Sequence, residues 1–119
     1  MNTLILVLRI IFGLFLGFAG VMHFVKPKMF NRFIPNFLPK LTVNYIAGFL
    51  EFTIGVSLLI NQTAKQAGLA MFVLMLIFLP IHIWDVFREK PAIGSKKIAI
   101  IRVPLQFLLL YIAYLIYTH

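Results

Sequence analysis

Four runs of apolar residues, each long enough to cross a bilayer, leave this chain few ways to fold. They extend from about Thr3 to Phe24, Val43 to Ile60, Ala64 to Trp84 and Ile98 to Tyr117. About 20 helical residues cover the hydrocarbon core of a membrane. In lipid, only helices and closed barrels satisfy every backbone N–H and C=O. These runs are too long and too uniformly apolar for the alternating strands of a barrel. The expectation is an all-α membrane protein, a four-transmembrane-helix bundle, with residues 1–119 as a single domain. Composition agrees: the chain is 62% hydrophobic and 12% charged. A domain this small has too much surface for its volume to hide that from water.

The first run reads as a retained helix. Met1-Asn2-Thr3-Leu4 lacks a basic leader, Arg9 interrupts the apolar stretch, and no small-x-small cleavage site follows. There are no cysteines, which excludes disulfides, thiolate metal sites and thiol exchange.

The net charge of +8 suggests nucleic acid until its placement is considered. Lys26, Lys28, Arg32 and Lys40 lie between the first two runs, and Arg88, Lys90, Lys96 and Lys97 between the last two. Cations gathered in loops beside apolar segments point to anionic lipid headgroups, not to nucleic acid. The other side has only Lys65 in its short loop. The positive-inside rule places both basic loops in the cytoplasm and both termini outside it.

The first basic loop is rich in proline. Pro27, Pro35 and Pro39 interrupt regular helix, and Met29, Phe30, Phe33, Ile34, Phe37 and Leu38 alternate with the cations. This composition suits an interfacial segment, with apolar side chains among headgroups and cations on phosphates.

Glu51 is the residue that needs explaining. A carboxylate within a spanning segment costs several kcal/mol unless it is paired, protonated or turned to a polar interior. Helical spacing supplies such an interior. Arg9, Gly13, Leu16, Gly20 and His23 share one stripe, as do Asn44, Gly48, Glu51 and Gly55. Gly68, Met75, His82 and Asp85 form a third stripe; Arg102, Gln106, Leu109 and Ala113 a fourth. Small residues let helices approach and polar groups bond between them. The Gly13-x-x-x-Gly17 spacing reads the same way, as packing within the bundle. At ~1.5 Å rise per residue, Glu51 lies ~12 Å inside the cytoplasmic boundary and Arg102 roughly 6–8 Å. His23, His82 and Asp85 lie near that boundary. Arg9 lies toward the opposite side, where it could snorkel.

Two readings of Glu51 follow. It forms a structural ion pair with Arg102, or it binds a ligand or moves a proton. His23, Glu51, His82, Asp85, Arg102 and Gln106 are the candidate lining of one polar pocket. His23 and His82 could ligate a metal with a carboxylate, but their spacing is no recognised metal motif. Bis-histidine haem ligation is disfavoured because both histidines sit at helix ends.

The pattern resembles the small DoxX-like membrane proteins. The resemblance rests on Gly20-Val-Met-His23-Phe24-Val-Lys-Pro27, Phe30, Ile34-Pro35, Leu38-Pro39, Tyr45-Ile-Ala-Gly48-Phe-Leu-Glu51-Phe-Thr-Ile-Gly55 and Pro80-Ile-His82. It covers the first three runs and is weaker over the fourth. It implies a bacterial cytoplasmic-membrane protein acting as an accessory subunit of a redox or detoxification system. A quinone is the lipophilic ligand or cofactor it suggests, and a membrane protein is the expected partner. By position, the implied functional residues are His23, Glu51 and His82. Lack of cysteine separates this chain from thiol-active relatives. With no nucleotide, phosphate-loop or haem motif, the isolated chain is not expected to be a self-sufficient oxidoreductase. A non-enzymatic assembly partner for another membrane protein is the alternative. An isomerase using Glu51 and a histidine as acid and base is a third reading.

Overall fold

A computed structural model describes residues 2–119. Among them there are four α-helices and no strands: α1 (Thr3–Val25), α2 (Lys40–Leu59), α3 (Ala64–Val86) and α4 (Lys96–Thr118). All four are long and apolar enough to span a membrane, the architecture of a multi-pass membrane protein. Their outer faces carry large exposed apolar side chains, including Leu14, Phe18, Phe49 and Ile77. In a bundle whose surroundings are lipid, that exposure is the expected arrangement.

The helices begin and end where local chemistry allows. The Asn2 side chain accepts from the Leu4 N–H at 2.8 Å and starts α1. Ser95 Oγ accepts from the Ile98 N–H at 3.2 Å, so α4 starts two residues before its apolar run. Lys40, just after Pro39, begins α2, three residues earlier than hydropathy indicates. Its Nζ donates to the Asn31 carbonyl at 3.1 Å and the Ile34 carbonyl at 2.7 Å, fastening the proline-rich loop to the helix. Two short 3-10 turns, Pro27–Met29 and Asn31–Phe33, form that loop.

The bundle is two tight pairs with a looser seam. α1 packs chiefly on α2 and α3 on α4. Glycines make the first pair possible. A Cβ at Gly20 would lie 2.6 Å from the Gly48 carbonyl oxygen, and one at Gly55 would lie 2.5 Å from the Gly17 nitrogen. In the second pair, a Cβ at Gly68 would lie 2.8 Å from the Tyr117 nitrogen. Backbones cannot yield as side chains do, so Gly55→Ala should destabilise by about 1–3 kcal/mol. Gly17→Ala is the control, since its Cβ meets nothing within 4 Å. Thermal unfolding in detergent would compare them, and equal losses would remove the close-approach argument.

Arg9 departs from expectation. It is 2% exposed and does not snorkel. Its Nε donates to the Leu58 carbonyl at 2.9 Å and its Nη2 to Asn61 Oδ1 at 3.0 Å. A guanidinium at the end of α2 meets carbonyls that have no helical partner and the negative end of the helix dipole.

Candidate ligand-binding site

The seam between the two helix pairs encloses a cavity of about 260 Å³. All four helices line it. Phe12, Phe15, Leu16 and Ala19 of α1 and Met71, Met75, Phe78 and Ile81 of α3 form much of its apolar wall. Polar groups come from His23, Asn44, Glu51, His82 and Arg102. Phe15 lines the cavity and is also 58% exposed on the outer surface of the bundle. The cavity therefore reaches the outside beside α1, a helix that touches α4 far less than it touches α2.

The proline-rich loop closes the opposite end. Phe30 stacks on His23 with ring centroids 3.8 Å apart, and Phe33 meets His82 edge-on at 5.7 Å. Ile34 is buried beside them. Met29 and Phe37 remain exposed, so this segment divides its apolar residues between cavity and exterior. The sequence reading placed all of them in the headgroup region; three turn inward instead, because the Lys40 bonds hold the loop across the bundle end.

A hydrogen-bonded chain leads from this loop to Glu51. Asn44 Nδ2 donates to Asn31 Oδ1 and to the Lys40 carbonyl, both at 3.0 Å. A backbone carbonyl only accepts, so the Asn44 amide orientation is set. Its Oδ1 then faces His23 Nδ1 at 2.9 Å, which must be the protonated nitrogen. His23 Nε2 lies 2.6 Å from Glu51 Oε2. Two bare lone pairs would repel at that distance, so one proton lies between them. The pair is imidazolium with carboxylate, or imidazole with carboxylic acid; both forms are neutral overall. Among the described residues, this ring nitrogen is the one group that pairs with Oε2.

The expected Glu51–Arg102 ion pair is not formed. His23 occupies Glu51, and Arg102 makes neither a hydrogen bond nor an ion pair among the described residues. Its Nη1 is buried without a partner. The helix stripes correctly put both residues on the interior, but a stripe gives no lateral distance between two helices.

Four of the six predicted pocket residues line the cavity: His23, Glu51, His82 and Arg102. Asp85 and Gln106 are buried elsewhere. Asp85 Oδ1 accepts from the Ala92 N–H at 2.7 Å and Oδ2 from the Ile93 N–H at 3.3 Å. Arg88 Nη1 stands 3.5 Å from Oδ1. Asp85 thus fixes the turn between α3 and α4. Gln106 Nε2 donates to the Met75 carbonyl at 2.7 Å, next to the Leu76 carbonyl that Pro80 leaves without its helical N–H. Gln106 ties α4 to α3, with its Oε1 buried and unpartnered. Asn44 was visible on the polar stripe of α2 but not singled out. Its signal was its place seven residues before Glu51, on the same face.

His23 uses both ring nitrogens within the chain, so neither is open to a metal or haem iron in this arrangement. Among the described residues, no three His, Asp or Glu side chains gather as a metal site.

Compared with known families, residues 12–117 match one described as a domain of unknown function, DUF8561. The chain belongs to the DUF8561 family. The matched stretch contains every residue that lines the cavity. No curated protein and no solved structure matches the chain.

Proposed function

We propose that this DUF8561 protein is a DoxX-like accessory subunit of a membrane redox or detoxification system, and that it binds a lipophilic ligand such as a quinone. The observation that carries this reading is a largely apolar cavity ending in polar groups that the fold leaves facing inward. Ligand sites commonly combine apolar walls with a few converging polar groups. Size is consistent with a ring. An engineered apolar cavity of ~150 Å³ accepts benzene, so about 260 Å³ accommodates a substituted ring but not a long isoprenoid tail. The tail would leave beside Phe15 into lipid. The shared proton of His23 and Glu51 gives the site a group that can donate to a ligand oxygen or take a proton from it.

The protein would sit in the bacterial cytoplasmic membrane with its two basic loops on the cytoplasmic side, against anionic headgroups. A reporter fused after His119 should then be active outside the cytoplasm. Activity only inside it would reverse this topology.

The test of the ligand reading is mass spectrometry of lipids extracted from purified protein, with a cavity-filled Ala47→Trp variant beside it. A quinone should co-purify with the native chain and be depleted at least tenfold in the variant. Equal recovery from both would locate the lipid outside the cavity. A stoichiometric protein partner with no retained lipophile would favour the assembly-partner function.

A further inference from the structure

Among the described residues, Arg102 is the one cavity residue whose charge the fold leaves unanswered. The chain has only three acidic side chains. Asp85 accepts from two loop amides and faces Arg88. Glu51 faces His23, and the two are jointly neutral in either protonation state. Glu89 is exposed. None is paired with Arg102, and no carbonyl accepts from it among the described residues. A guanidinium carries five N–H donors and is always charged. Arg102 is partly buried, and its Nη1 is fully buried without a partner; an unpaired donor there is costly, and a counter-ion removes that cost.

A second donor lies on the same cavity. His82 touches Phe33 through its ring, but neither of its nitrogens is hydrogen-bonded among the described residues. Arg102 and His82 both line the void. Asn44 Oδ1 is engaged by His23 Nδ1 and Glu51 Oε2 by His23 Nε2, and among the described residues neither Glu51 Oε1 nor the buried Oε1 of Gln106 accepts from Arg102 or His82. The cavity thus offers one uncompensated positive charge and an unused N–H. A ligand that complements it brings an acceptor, best a negative one, on an apolar body.

We propose that the cavity selects lipophiles with an oxyanion head, bound by Arg102 with His82 alongside, while the body lies along the Phe and Met walls. This deepens the ligand-binding reading above and rests on it. A carboxylate fits the planar fork of arginine with two parallel hydrogen bonds, and a phosphate monoester offers the same chemistry. A neutral quinone has carbonyl acceptors but no charge. The inference therefore ranks an acid or a ring-oxygen anion above it.

The experiment uses the full chain in phosphatidylcholine nanodiscs, titrated with dodecanoate, dodecyl phosphate, dodecanol and a short-tailed benzoquinone. The expected result is dodecanoate or dodecyl phosphate binding at least tenfold more tightly than dodecanol. The tighter of the two identifies carboxylate or phosphate as the preferred head. Arg102→Gln should bring both anions to the level of dodecanol, while Arg102→Lys keeps part of the preference. The basic loops are intact in both variants, so a preference surviving Arg102→Gln would assign it to those loops and overturn the site. Arg102→Gln removes an unpartnered charge and should unfold at no lower temperature than the native chain. Should it fail to fold, the native anion-to-alcohol ratio and the Arg102→Lys variant decide. Quinone binding without anion preference would sink this inference and leave the neutral-lipophile reading standing. Binding of none of the four would end both.

Discussion

His23→Ala should cost the bundle about 3–5 kcal/mol, and adding Glu51→Leu should return most of that loss. The single change leaves a carboxyl group in the interior without the one ion-pair partner it has among the described residues. It also removes the acceptor's purpose at Asn44 Oδ1 and the stacking surface of Phe30. The second change replaces the stranded group with an apolar side chain of similar volume. Breaking one half of a buried pair is expensive, whereas replacing both halves with apolar groups is often close to neutral. Unfolding of both single variants and the double variant in detergent gives the coupling energy. Simple additivity would show that His23 and Glu51 do not act as a unit. Arg102→Leu is a useful contrast. Arg102 has no partner to strand among the described residues, so its loss should not exceed about 1 kcal/mol on the scale of ordinary substitutions.

How far the sequence could be read depended on what each signal encodes. Hydropathy runs encode insertion into lipid, and four of them became the four helices with ends shifted by at most three residues. Those shifts came from local chemistry that hydropathy ignores: Ser95 as an N-cap and Lys40 bonding back to the loop. Helical periodicity encodes which face turns inward, so His23, Glu51, His82 and Arg102 reached the seam. Periodicity says nothing about which inward residues meet. Glu51 and Arg102 share the bundle interior and line one cavity, yet α1 packs on α2 through its glycines and brings His23 to Glu51. Asp85 and Gln106 show the same limit. Both were correctly inward, but each is taken by backbone groups: loop N–H groups for Asp85 and the Met75 carbonyl for Gln106. The inward turn of Phe30 and Phe33 had no sequence signature, because an aromatic residue in a basic loop suits a headgroup layer equally well.

Glu51→Gln and His82→Ala should each weaken retention of a short-tailed ubiquinone analogue or the co-purified lipophile by roughly ten- to hundredfold, the worth of a hydrogen bond to a charged or protonated group. Both should keep stability within about 1 kcal/mol of the native chain, as expected where no group is stranded. The fold has reason to tolerate them. A glutamine amide can donate to the lone pair at His23 Nε2, so the tie between α1 and α2 persists while the exchangeable proton of the pair is removed. Among the described residues His82 has no hydrogen bond to lose, only an edge contact with Phe33. Infrared spectroscopy adds an independent reading of the first variant. If the native pair holds its proton on Glu51, a buried carboxylic C=O band should vanish in Glu51→Gln; if it holds it on His23, a carboxylate band should vanish instead. Retention measured per folded molecule separates function from structure. Losses that merely follow the amount of folded protein would make His23, Glu51 and His82 supports of the bundle and nothing more. Loss of retention from an intact fold would mean that the chain holds a carboxyl group deep in an apolar helix for what it does to a ligand, since His23 and glutamine together suffice to join α1 to α2.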